Sequence, residues 1–230
     1  MTWIFPLAAA AVSGLFAAQL GQQFFAKRKP HQLAWTLAML MFSIASFAAA
    51  MGMLGGWTPY WFRVYFLLGA IINVPVLALG TLYLLASRRL THVVSIGVGI
   101  FAIFATGAVF TAVLKTDALD VSGRIPRARE VLPDAVLLLA RYASFAGFFV
   151  VVSGALWSAW KLSRRPDDDL RRLAAANVLI AAGTTVVAAA SGFASVKGSV
   201  GSTIFSIGLL VGVSTMFVGF LKTRTKSITK

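Results

Sequence analysis

Seven apolar stretches, each long enough to cross a lipid bilayer, constrain this chain more than any other feature. A hydrocarbon core of about 30 Å takes about 20 residues of helix. Residues 3–25, 33–54, 62–86, 93–114, 135–160, 173–193 and 200–221 meet that length with almost no charge inside them. Backbone groups in lipid must find partners within the segment, so these stretches read as helices. Barrel strands would be about half as long and would alternate in polarity. The sequence therefore predicts an all-α polytopic membrane protein, a single seven-helix domain over residues 1–230. Charged residues make up only 12% of the chain, against about 25% in soluble domains. That is too little polar side chain to cover a water-facing surface.

Orientation follows from where Lys and Arg fall. The first, third and fifth connections and the tail hold Lys27, Arg28, Lys29, Arg88, Arg89, Lys161, Arg164, Arg165, Arg171, Arg172, Lys222, Arg224, Lys226 and Lys230. The other side holds Arg63, Lys115, Arg124, Arg127, Arg129 and Lys197. The richer side is expected in the cytoplasm, which with seven spans puts the N-terminus outside. Trp3, Trp57, Tyr60 and Trp61 would form the outer aromatic belt, and Trp157 and Trp160 the inner one. A net charge of +14 spread in this way is a topology signal, and no nucleic-acid partner is expected. Lys27, Arg28 and Lys29 follow the first stretch, the reverse of signal-peptide order, so it reads as a retained helix.

An internal repeat is suggested by two matches. Ala11-Val12-Ser13-Gly14-Leu15 resembles Val151-Val152-Ser153-Gly154-Ala155, and the spacing from Lys27 to Arg88 equals that from Lys161 to Lys222. Residues 1–90 and 135–225 would then be parallel three-helix units, with 91–134 supplying a linker helix and an outer loop. Such three-one-three repeats occur in transporters, the SWEET facilitators among them, an architectural analogy only. Small-residue steps at Gly208/Gly212 and Gly52/Gly56 and a ridge of Ala10, Gly14 and Ala18 are expected to pack helices closely.

The chemistry the sequence excludes is extensive. With no cysteine, disulfides and thiolate sites are ruled out. His31 and His92 stand beside connections, and no Asp or Glu falls within a span. Bis-histidine haem, proton relays and cation coupling are thereby disfavoured. The seventh stretch has no Lys to form a retinal Schiff base. No nucleophile elbow, phosphate loop or dinucleotide fingerprint is present. The expectation is a non-enzymatic protein with no cofactor.

A few residues could still carry function. Asn73 and Pro75 stand mid-span in the third helix, where proline opens a backbone carbonyl and lipid cannot satisfy an amide. They form either a midplane site or an interhelical hydrogen bond beside a kink, the second being favoured. Gln19, Gln22, Gln23, Asn177, Thr184 and Thr185 could line a neutral polar path with Asn73, or could satisfy themselves locally. Arg141 is a charge inside the fifth span, read as snorkelling, as a buried pair with Asp134 or Glu130, or as an anion contact in an outward-facing vestibule. Residues 115–134 are long for a bundle connection and are expected to cap the bundle or dock a partner. Asp167 to Asp169 are expected to cap the sixth helix after Pro166.

The stretch Pro30-His31-Gln32-Leu33-Ala34-Trp35-Thr36, with Gly56-Trp57-Thr58-Pro59 and the segment 65–69, resembles uncharacterised multi-pass membrane proteins of high-GC Gram-positive bacteria. The resemblance covers the first three helices, implies a bacterial inner-membrane origin and supplies no activity. Three functional expectations remain. The first is an accessory, scaffold or sensor subunit whose partners are the lipid bilayer and other membrane-protein subunits. The others are a passive facilitator of a small neutral or anionic solute, and a binder of lipid, quinone or pigment.

Overall fold

The computed structural model describes residues 2–164, 167–194, 196 and 198–222, without the side chain of Asp168. Arg165, Pro166, Lys197, Arg224, Lys226 and Lys230, used above for orientation and capping, lie outside the described residues. Seven helices long and apolar enough to cross a membrane make up the fold: α1 (Ile4–Lys27), α2 (Pro30–Gly55), α3 (Pro59–Leu85), α4 (Arg88–Thr111), α5 (Asp134–Ser163), α6 (Asp168–Phe193) and α7 (Ser199–Lys222). The described residues contain no strand. The protein is a multi-pass membrane helical bundle.

Most helices begin earlier than hydropathy alone suggests, because hydrogen bonding runs on through polar residues to a cap. Pro30 and Pro59 open α2 and α3, where a missing N–H costs nothing. Thr58 accepts from the Trp61 N–H (3.2 Å) and Ser87 from the Leu90 N–H (3.4 Å). Asp167 accepts from the Asp169 N–H (2.8 Å), so the expected cap of α6 is made by its first carboxylate. Arg28, at φ +51°, ends α1 with its N–H on Phe24 O, the left-handed C-cap geometry. α4 stops short of expectation at Thr111, and the chain beyond it pairs instead with the loop, Lys115 N–H to Val131 O (3.1 Å).

Six helices close a ring in the order α1, α2, α3, α5, α6, α7 and back to α1, while α4 lies outside against α3 and α5. Close backbone approach seals several contacts. A Cβ on Gly183 would stand 2.5 Å from Gly212 O, and one on Gly147 would stand 2.8 Å from the Val74 carbonyl. Gly208 and Gly212 thus join α7 to α6 as expected. The other predicted step does something different: Gly52 seats the Trp57 indole, and Gly56, at φ +92°, ends α2. Ala18 is exposed, so it takes no part in the ridge of Ala10 and Gly14, which faces α2 through Ser43.

The connection between α4 and α5 folds over one end of the ring. Leu119, Ile125, Val131 and Leu132 are buried in the main core. The Trp57 indole N–H donates to Arg124 O (2.8 Å), Ile125 N–H to the Ser202 hydroxyl (2.9 Å) and the Thr2 hydroxyl to Gly123 O (2.9 Å). These bonds tie the loop to the start of α1, the end of α2 and the start of α7. The expected cap is therefore built, and this end is called the loop end. The opposite end, with Lys27, Arg88, Lys161 and Lys222, is called the basic end.

Candidate functional site

The middle of α3 departs from regular α-helix. Residues Leu67–Ile72 wind as a π-helix immediately before Asn73 and Pro75. In that wide register Ala70 O falls opposite residue 75, and proline has no N–H to offer. The orphaned carbonyl is taken by α5, where the Ser144 hydroxyl donates to it at 2.6 Å. The interhelical bond expected beside the kink exists, but Ser144 makes it, not Asn73. Gly147, one turn along, lets α5 lie on the Val74 backbone. Asn73 itself is buried at 4% exposure, and its Oδ1 has no hydrogen-bond partner.

A cavity of about 50 Å³ lies inside the ring. All six ring helices contribute: Phe16 and Leu20, Trp35 and Met39, Leu77 and Thr81, Val151, Ala155 and Ser158, Asn177 and Ile180, Met216 and Phe220. These residues fall late in the odd-numbered helices and early in α2 and α6, so the cavity sits in the half of the bundle toward the basic end. Leu84 and Leu85 also line it and are 49% and 44% exposed, so it reaches the surface at the end of α3. Its wall is apolar apart from a few side chains. Asn177 Nδ2 donates to Ser158 Oγ at 2.9 Å, with Thr81 on the facing helix. No ionisable side chain lines it. The wall can pack an apolar body and offer it neutral hydrogen-bond donors and acceptors.

The structure brings few of the candidate residues together. Asn177 lines the cavity; Asn73, Pro75 and Gln19 do not, although Leu20 beside Gln19 does. This cavity therefore joins neither Asn73 nor Gln19 to Asn177. Gln22 is exposed, and Gln23 Oε1 accepts from Gln32 Nε2 (3.1 Å) near the basic end. Thr184 and Thr185 bond back to Ile180 O and Ala181 O, both at 2.8 Å, as expected of hydroxyls in an apolar helix. Arg141 is exposed, and so is Asp134, while Glu130 pairs with Arg127. The buried pair considered for Arg141 is thus replaced by a side chain on the outside of the bundle, where its long stem can lead the charge to the interface.

Two groups escape sequence reading. Ser144 was one more serine in an apolar helix; the signal was its place on the stripe Ser144, Gly147, Val151, Gly154 and Ser158, spaced three and four apart. Arg63 counts as a loop charge but stands in the first turns of α3. It donates to Ala112 O (3.0 Å), and its guanidinium lies 5.8 Å from the Phe110 ring centre. It satisfies a carbonyl at the end of α4, where a cation is also favoured by the helix dipole. Comparison with family models, with curated proteins and with solved structures finds no match.

Proposed function

We propose that this chain is a non-enzymatic protein of the bacterial plasma membrane, N-terminus outside and basic end cytoplasmic, that holds the apolar body of a small amphiphile in its ring cavity. The observation that carries the reading is the cavity wall: apolar on six helices, with the neutral pair Asn177 and Ser158 and the separate Thr81 as its polar side chains. A volume near 50 Å³ is well below the roughly 300–1,000 Å³ of a ligand pocket, so an alkyl or isoprenoid chain would enter only as the flexible Met39 and Met216 side chains move aside. A lipid or quinone of this kind would place its hydrogen-bonding group on Asn177. The experiment is extraction of the detergent-purified protein followed by mass spectrometry of the organic phase. Wild type should carry one apolar molecule per chain, Ala155→Phe should empty the cavity without unfolding the bundle, and Asn177→Leu should weaken retention. Wild type with nothing bound, even after lipid is added back, sinks the reading.

A second reading, an accessory subunit of a larger membrane complex, is favoured by α4. Only 11% of its most apolar stretch is buried, and a Cβ on Gly97, Gly99 or Gly107 would meet nothing within 4 Å. A partner helix could use those positions. Gentle extraction should recover a partner that Gly99→Leu with Gly107→Leu releases; a bare monomer in every mild detergent speaks against it. Passive facilitation draws least support, because the loop, with Leu119 and Ile125 buried, lies over the loop end. The ring order, with α1–α3 followed by α5–α7, is compatible with a parallel repeat.

A further inference from the structure

The last turns of α5 carry a group of side chains that neither the cavity nor the bundle core uses. Trp157 and Trp160 are 58% and 47% exposed, and their ring centres lie 5.1 Å apart. The Arg164 guanidinium carbon stands 3.9 Å above the Trp160 ring centre. Arg164 makes no salt bridge with any described residue. The neighbouring Asp167 carboxylate accepts from the Asp169 N–H at the start of α6. At about 100° per residue, Trp157, Trp160 and Arg164 share a face turned roughly 120° round the helix from Val151, Gly154 and Ser158, which line the cavity. The same outer face continues into the apolar span through Phe149 and Leu156, 64% and 50% exposed.

We propose that this face binds one anionic phospholipid, its headgroup phosphate on Arg164 and its acyl chains along Phe149 and Leu156. Stacking on Trp160 desolvates one side of the guanidinium and fixes its plane. The edge N–H groups are left to donate to phosphate oxygens in charge-assisted bonds. Exposed Lys161 adds a second positive charge. An indole pair belongs at the depth of headgroups and glycerol backbones, which sets the cation at phosphate level. A freely diffusing phosphate would use the cation but not the apolar face above it, so the lipid is the occupant that engages all of these side chains. This site is separate from the cavity, and its existence does not depend on the amphiphile reading.

Native mass spectrometry of the full chain in a neutral detergent, titrated with phosphatidylglycerol or phosphatidylcholine, tests it. Phosphatidylglycerol should be retained at least about tenfold more tightly. Arg164→Gln and Trp160→Leu should each erase most of that preference. Trp160→Phe should keep most of it, Arg164→Lys should keep only part, and Arg89→Gln, at the start of α4, should change nothing. These side chains are exposed, so the variants should melt with wild type. Equal retention of both lipids, loss on Arg89→Gln as large as on Arg164→Gln, or full retention in Trp160→Leu would overturn the proposal. Displacement of the lipid by millimolar inorganic phosphate would do so as well, by showing a site for the free anion.

Discussion

α3 and α4 are consecutive helices, α4 the more apolar of the two, and they have opposite fates. In α3, 56% of the most apolar stretch is buried; in α4, 11%. α3 carries what a lipid-facing helix avoids: an amide, a mid-span proline and a π-turn with an unpaired carbonyl. Each must be shielded from hydrocarbon, and α3 sits between α2 and α5, with Ser144 serving the carbonyl. α4 has no such debt, and its Thr106 and Thr111 bond back to their own helix. Hydropathy reports affinity for the bilayer. Burial within the bundle follows from what the backbone and polar side chains still need once they are there.

The contrast can be broken most forcefully at the glycines. Gly147→Leu drives a side chain into the Val74 backbone and should lower stability by about 3 kcal/mol or prevent folding. Gly107→Leu on α4 meets open space and should stay within about 0.5 kcal/mol of wild type; thermal melts of both in detergent settle it. Arg63→Met keeps the apolar stem but frees Ala112 O, and about 1–2 kcal/mol should be lost. The loss should appear as faster amide exchange in the last turn of α4 while α3 stays protected. Ser144→Ala strands Ala70 O and should cost about 1 kcal/mol. If the π-turn is the reason, that cost shrinks in a Pro75→Ala background, where residue 75 regains an N–H. Asn73→Leu comes last. It removes a buried, unpartnered oxygen, so stability should change by less than about 1 kcal/mol, in either direction; a loss of several kcal/mol would reveal a partner for the amide.

The fold was legible because its cause is local. Length, apolarity and scarcity of charge within each stretch give the seven helices without reference to any neighbour, and Asp167 marks the start of α6 by bonding to its own chain, whereas the starts at Pro30, Pro59 and Arg88 lie ahead of the apolar stretches that predict them. Part of the site was legible for the same reason: Pro75 had to disturb α3, and Asn177 was a polar group in an apolar helix. Ser144 and Arg63 were not legible, because their roles depend on carbonyls that other helices bring to them. Thr81, Ser158 and Asn177 line one cavity only because three helices converge.

The sequence by itself determined immersion, helix number and the basic end, since transfer from water to lipid is decided residue by residue. The tertiary structure alone decided which helices close the ring, that α4 stays outside it, that the 112–133 connection folds over one end, and where the cavity lies. In hydrocarbon all apolar helices are alike to the solvent, so their partners are chosen by steric fit and by hydrogen bonds to otherwise unpaired groups. Both are properties of pairs of helices and cannot be written in either one.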